Sequence, residues 1–97
     1  MFTVDDEKLC AVQDCLDQVA RQCMKTIGRS GLSDQLNSHL AKFLYGCMNQ
    51  RLTIVRRVRE RGPREFDKVL KFAAQALQIL QQADVELQTR ADSTPTT

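Results

Sequence analysis

Apolar residues recur along this chain at a helical period and nowhere in strand-like alternation. Leu9, Val12, Leu16, Val19, Ala20, Cys23 and Ile27 fall on one stripe, the spacing of a helix that buries a single face. Thr3 followed by Asp6 has the form of a capping box with Asp in place of Glu. Asp5, Asp6 and Glu7 suit the positive end of a helix dipole. Gly28 and Gly31 punctuate the end of the segment. With no Gly or Pro between residues 4 and 27, propensity predicts one long helix there. The pattern leaves open whether it bends.

Ser33 is a good N-cap for the next segment, whose apolar face holds Leu36, Leu40, Phe43, Leu44 and Cys47. Gly46 and Asn49-Gln50 weaken helicity, yet Leu52, Ile54, Val55 and Val58 resume the stripe almost in phase. Residues 33–61 therefore fit one helix, or two with a joint near Gly46–Asn49. Leu44, Met48, Leu52 and Val55 make a second apolar stripe beside the first, more than one packing neighbour would cover. Gly62 supplies a helix stop and Pro63 suits the first turn of the next helix. From Phe66 through Val69, Leu70, Ala73, Ala76, Leu77 and Leu80 to Leu87 a third stripe continues on one face. Thr89–Thr97, with its Ser, Thr and Pro, has the composition of a disordered end. The fold class is all-α, a compact antiparallel helical bundle. A single domain over 1–88 carries a tail at 89–97.

Composition narrows the chemistry. Ninety-seven residues with 42% hydrophobic and 27% charged side chains make one soluble-type domain. Only four Phe, one Tyr and no Trp are present, so aliphatic side chains and Cys must fill the core. The longest apolar runs are too short to span a membrane, and the acidic N-terminus does not read as an export signal. Cys10, Cys15, Cys23 and Cys47 include no CxxC pair, and His39 stands at no ligand spacing from them. They read as free thiols in a reducing compartment, with no metal and no cofactor. The four glycines are scattered singly and build no phosphate loop. His39, between Leu36 and Leu40, belongs on a helix rim. No enzyme signature results.

Charge is unevenly spread. Residues 5–17 hold Asp5, Asp6, Glu7, Asp14 and Asp17 against Lys8 alone, while residues 51–64 hold six arginines against Glu60 alone. At about 100° per residue these arginines wrap most of a helix surface. They read as a solvated face, or as a docking patch for an acidic protein. Nucleic-acid binding would call for more basic residues with interleaved aromatics, and the acidic first segment opposes it.

Two motifs sharpen the docking reading. Gly31, Leu32 and Ser33 introduce the segment "GLSDQLNSHL". Farther on, "TIVRRVRERGP" supplies Ile54, Val55 and Val58, then Arg61, Gly62 and Pro63, followed in "REFDKVL" by Phe66, Asp67 and Val69. In these motifs and their separation, residues 31–69 resemble the second half of a caspase recruitment domain, the six-helix death-fold interaction module. The resemblance implies six short helices. Residues 4–27 and 71–87 carry no punctuation for the extra turns, so a bundle of three long helices, near 4–27, 33–61 and 64–88, stands beside it.

The resemblance also implies a non-enzymatic adaptor or regulator of apoptotic or inflammatory signalling in the cytoplasm, with the nucleus also open. It would dock through a charged helix face onto a helical domain with an acidic face, and could build assemblies of its own copies. The matching basic positions are Arg51, Arg56 and Arg57, with Arg21 and Lys25 as neighbours. The alternative, taken from the wide apolar faces, is a small helical structural subunit that packs into a larger multiprotein complex.

Overall fold

In the computed structural model, which describes residues 1–93 with side chains through Thr89, the chain forms three long helices. They are α1 (Asp6–Thr26), α2 (Asp34–Arg61) and α3 (Arg64–Ser93). Each packs against both others, giving a rod of 64 × 20 × 16 Å. The six-helix division is not the one this chain adopts. The three-helix arrangement is, because no breaker interrupts either long apolar stripe. The tail expected from Thr89 lies partly on α3, which runs on to Ser93. No Gly or Pro precedes Pro95 in that stretch. Residues 94–97 lie outside the described residues.

The buried positions explain why three helices suffice. On α3 they are Phe66, Val69, Ala73, Ala76, Leu80 and Ala83, spaced alternately by three and four residues. On α1 the same alternation picks out Val12, Leu16, Val19, Cys23 and Thr26. On α2 Leu36, Leu40, Cys47, Ile54 and Val58 are spaced by four and seven residues, which keeps them on one face at the same heptad period. A seam at that spacing follows one face of a helix for its whole length and packs in the manner of a coiled coil. Half of the α3 seam is alanine, which lets that helix approach the larger side chains of the other two. Burying a side chain such as Leu40, Ile54 or Phe66 contributes about 1.5–3 kcal/mol each.

Helix ends follow local chemistry, with one correction. The first cap is Asp5 rather than Thr3: its carboxylate accepts the Lys8 N–H at 3.2 Å. Ser33 caps α2 as expected, its hydroxyl accepting from the Leu36 N–H at 3.3 Å. Its own N–H donates to Glu86 of α3 at 2.6 Å, which pins the start of α2 to the third helix. Between α1 and α2 the backbone turns through Gly28 and Gly31, both at positive φ, and Asn37 accepts the Gly28 N–H at 2.9 Å. Gly62, at φ +98°, closes α2 with its N–H on the Val58 carbonyl at 2.8 Å.

Gly46 sits in mid-helix without bending it. A Cβ placed there would overlap the ring of Phe72 on α3, which also meets Phe43 at 5.2 Å between centroids. The residue that weakens α2 as an isolated helix is the one that admits the α3 aromatic. Gly46→Ala is therefore expected to lower stability, since overpacking costs about 1–3 kcal/mol against a propensity gain of about 1 kcal/mol. On a Phe72→Ala background the same change is expected to become stabilising. Urea unfolding of the four proteins measures the change of sign.

Candidate functional site

The basic cluster on the second half of α2 divides once its side chains are placed. Arg51 pairs with Asp17 of α1, Nε to Oδ1 at 2.9 Å, with both groups well exposed. An exposed pair of this kind contributes about 0–1 kcal/mol, but it marks which residues of α1 and α2 lie side by side in their antiparallel packing. Arg57 is mostly buried. Its Nε donates to Glu65 Oε1 at 2.9 Å and its Nη1 to the side-chain oxygen of Gln50.

Glu65 is itself almost completely buried in the first turn of α3, where a negative charge suits the helix dipole. Lys68 reaches its Oε2 at 2.9 Å, and Arg61 stands 3.8 Å from Oε1. Hydrogen bonds from Lys68 and then Arg57 hold the Glu65 carboxyl below the usual carboxylate range, against the opposing effect of burial. Two of the five expected docking residues, Arg51 and Arg57, are thus engaged inside the fold.

The Gly62-Pro63 corner is a structural joint as well. The Phe2 N–H donates to the Arg59 carbonyl at 2.9 Å, and the Phe2 ring lies over Gly62, where a Cβ would meet it at 3.2 Å. Lys8 sits 5.5 Å above the centre of the Phe66 ring. The acidic start of α1 and the arginine-rich end of α2 therefore share one end of the rod.

The remaining three expected residues are exposed and, among the described residues, make no ion pair. They do not form one patch. Arg21 and Lys25 line the groove between α1 and α3 beside Leu77. Arg56 projects about 180° from the core-facing direction of α2, and a groove between two helices of a three-helix bundle faces away from the third. Arg56 and the Arg21–Lys25 pair thus lie on opposite sides of the rod.

A different surface emerges on α2. Tyr45, Met48 and Leu52, at positions i, i+3 and i+7, are 71%, 53% and 81% exposed. Leu44 and Val55 lie half-buried beneath them. Two turns along α1 from Asp17 the register brings Met24, 57% exposed, alongside Leu44. Three large apolar side chains of α2 thus line a strip about two turns long, with Met24 of α1 at its flank, bounded at one end by exposed Arg56 and Arg59. The second stripe in the sequence contained Met48 and Leu52. It missed Tyr45, which the seven-residue spacing to Leu52 could have disclosed, and Met24, which only the register of two helices brings near.

The thiols are unreactive where they are buried. Cys23 and Cys47 lie in the seam, and burial raises both. Cys47 is pushed up to about 11, with Cys23 and Cys15 adding to the effect. Cys10 is exposed and Cys15 half-buried, all four being free.

No family description, curated protein or solved structure matches this chain. Among the described residues no helix is long and apolar enough to cross a membrane.

The Glu65 cluster yields a pH dependence whose sign is set. A carboxyl with a lowered folded-state pKa contributes stability that is present above the unfolded value of about 4.3. That contribution is lost as pH falls through the folded value. Glu65→Gln is expected to lower stability near pH 7 and to flatten the loss that sets in as pH falls below about 4.3. Urea midpoints of the two proteins across that range measure it.

Proposed function

We propose that this chain is a non-enzymatic helical subunit that packs the outer face of α2 into a larger protein assembly. The observation that carries this reading is the strip of Tyr45, Met48 and Leu52 along α2, each more than half exposed. Scattered apolar residues on a surface call for no explanation, but a contiguous set along one helix marks a docking surface. Its i, i+3, i+7 spacing is that of anchors in helix-to-helix recognition. The core of the bundle does not need these side chains, because the seam beneath them is already filled. An association interface accounts for their presence; folding does not.

Docking by a charged face, as in the recruitment domains of apoptotic and inflammatory signalling, is a second reading. What favours it is that Arg56, Arg21 and Lys25 remain exposed. What weakens it is that Arg51 and Arg57 are taken up by Asp17 and Glu65, and that Arg56 lies on the opposite side of the rod from Arg21 and Lys25. The same losses weaken a nucleic-acid reading, which needs several cations along one backbone track.

Site-specific photocrosslinking in cells separates these readings. With the crosslinker at position 45 or 52, one discrete adduct is expected, and none with it at the solvent-facing position 74. Leu52→Glu should abolish the adduct formed from position 45 while changing stability by no more than about 0.5 kcal/mol. Adducts from positions 21 and 25 in place of these would move the docking face to the α1–α3 groove and overturn the proposal.

A further inference from the structure

The α2 strip carries information about the partner as well as about its own existence. Its two ends differ in charge. Toward the start of α2 the outward positions are Asp34, Ser38 and Ala41, with Lys42 at the flank, and toward its end Arg56 and Arg59 stand one turn apart, both exposed. Neither guanidinium has an acidic partner among the described residues. The three neighbouring arginines differ: Arg51 is held by Asp17, and Arg57 and Arg61 by Glu65. Of the five arginines between positions 51 and 61, Arg56 and Arg59 are thus the two with no acidic partner among the described residues.

A second copy of this chain fits the strip poorly. Between Asp34 and Glu60 α2 contains no acidic residue. Two α2 strips laid antiparallel about Met48 would set Arg56 and Arg59 against the region of Ser38 and Ala41. Arg56 then faces uncharged residues, and Asp34 of the second copy falls about one turn short of Arg59. Laid parallel, arginine faces arginine, and an unpaired charge at an interface is costly.

From this, and resting on the docking reading above, we infer that the strip receives a single amphipathic helix of another protein. That helix runs antiparallel to α2 and carries its acidic residues in its first turn, over Arg56 and Arg59. The strip is one helix wide and about two turns long, three with the arginines, which suits a helix laid along it with anchors at i, i+3 or i+4, and i+7. Carboxylates in a first turn are stabilised by the partner helix's own dipole. The same carboxylates can pair with the arginines only if that first turn lies at the C-terminal end of α2. Charge complementarity here decides direction, the role that charged groups play at interfaces more than that of raw affinity.

The experiment uses the full chain and three labelled helical peptides of identical Leu-anchor pattern. One has its acidic residues in the first turn, one in the last turn, and one has glutamines at both ends. By fluorescence anisotropy the first-turn peptide should bind at least about tenfold more tightly than the other two, the equivalent of two modest charge-assisted contacts. The charge-reversed protein Arg56→Glu/Arg59→Glu should lose that preference while keeping its affinity for the glutamine peptide. Leu52→Glu should lose all three.

Equal binding of the three peptides would overturn the inference about polarity and leave the docking reading standing. A preference for the last-turn peptide would reverse the orientation and overturn it too. Absence of binding by every peptide, or binding that Leu52→Glu does not disturb, would remove the docking reading itself. A dimer of the wild-type chain in light scattering, lost in Leu52→Glu, would replace the partner helix by a second copy.

Discussion

The seam shared by the three helices governs the rest of the molecule. Leu16, Leu40, Ile54, Val58, Phe66 and Val69 are shut off from water along a rod only about two helix diameters across. Each helix turns one line of apolar residues inward, and none can bury that line without the other two. Short helices would have to cross at angles to enclose a core. Long ones need only lie side by side and keep their spacing. The alternation of three and four residues does that over the whole length of α3. Close approach is possible because α3 offers alanines where the others offer larger side chains, and because Gly46 leaves room for Phe72.

Such an arrangement leaves much of each helix facing solvent, and what occupies those faces separates structural chemistry from surface left for others. The charges near the joint of α2 and α3 belong mostly to the structure. Glu65 is buried among Arg57, Lys68 and Arg61, and removing one member of such a buried group leaves the others uncompensated. Phe2 closes the same corner by lying over Gly62. The apolar strip of α2 has no such internal use. Its exposure, together with two arginines that the fold does not neutralise, gives the surface both a hydrophobic anchor and a direction.

Reading the chain residue by residue recovers the helices well, because the repeat of apolar positions is a local property and so are the caps at Ser33 and Gly62. It recovers the segment boundaries less well where two signals compete. Thr3 and Asp5 both offer a capping oxygen, and the backbone uses Asp5. Gly46 reads as a weak point in an isolated helix, and its compensation lies on α3, 26 positions away. The arginines show the limit most plainly. Arg51, Arg56 and Arg57 are equivalent as sequence, yet one is paired across to α1, one points to solvent, and one is buried against Glu65.

What the sequence determined by itself was the class of fold, the three apolar seams, the absence of strand patterning and the stop at Gly62-Pro63. Each of these depends on side chains within a turn or two of one another. The tertiary structure alone decided that residues 33–61 stay one helix across Gly46 and that Asp17 and Glu65 claim Arg51 and Arg57. It alone brought Met24 beside the α2 strip. Those outcomes depend on which helix faces are brought together, and at what register. Register is set by close packing between residues far apart in the chain, a quantity that no local pattern of hydrophobic and polar positions contains.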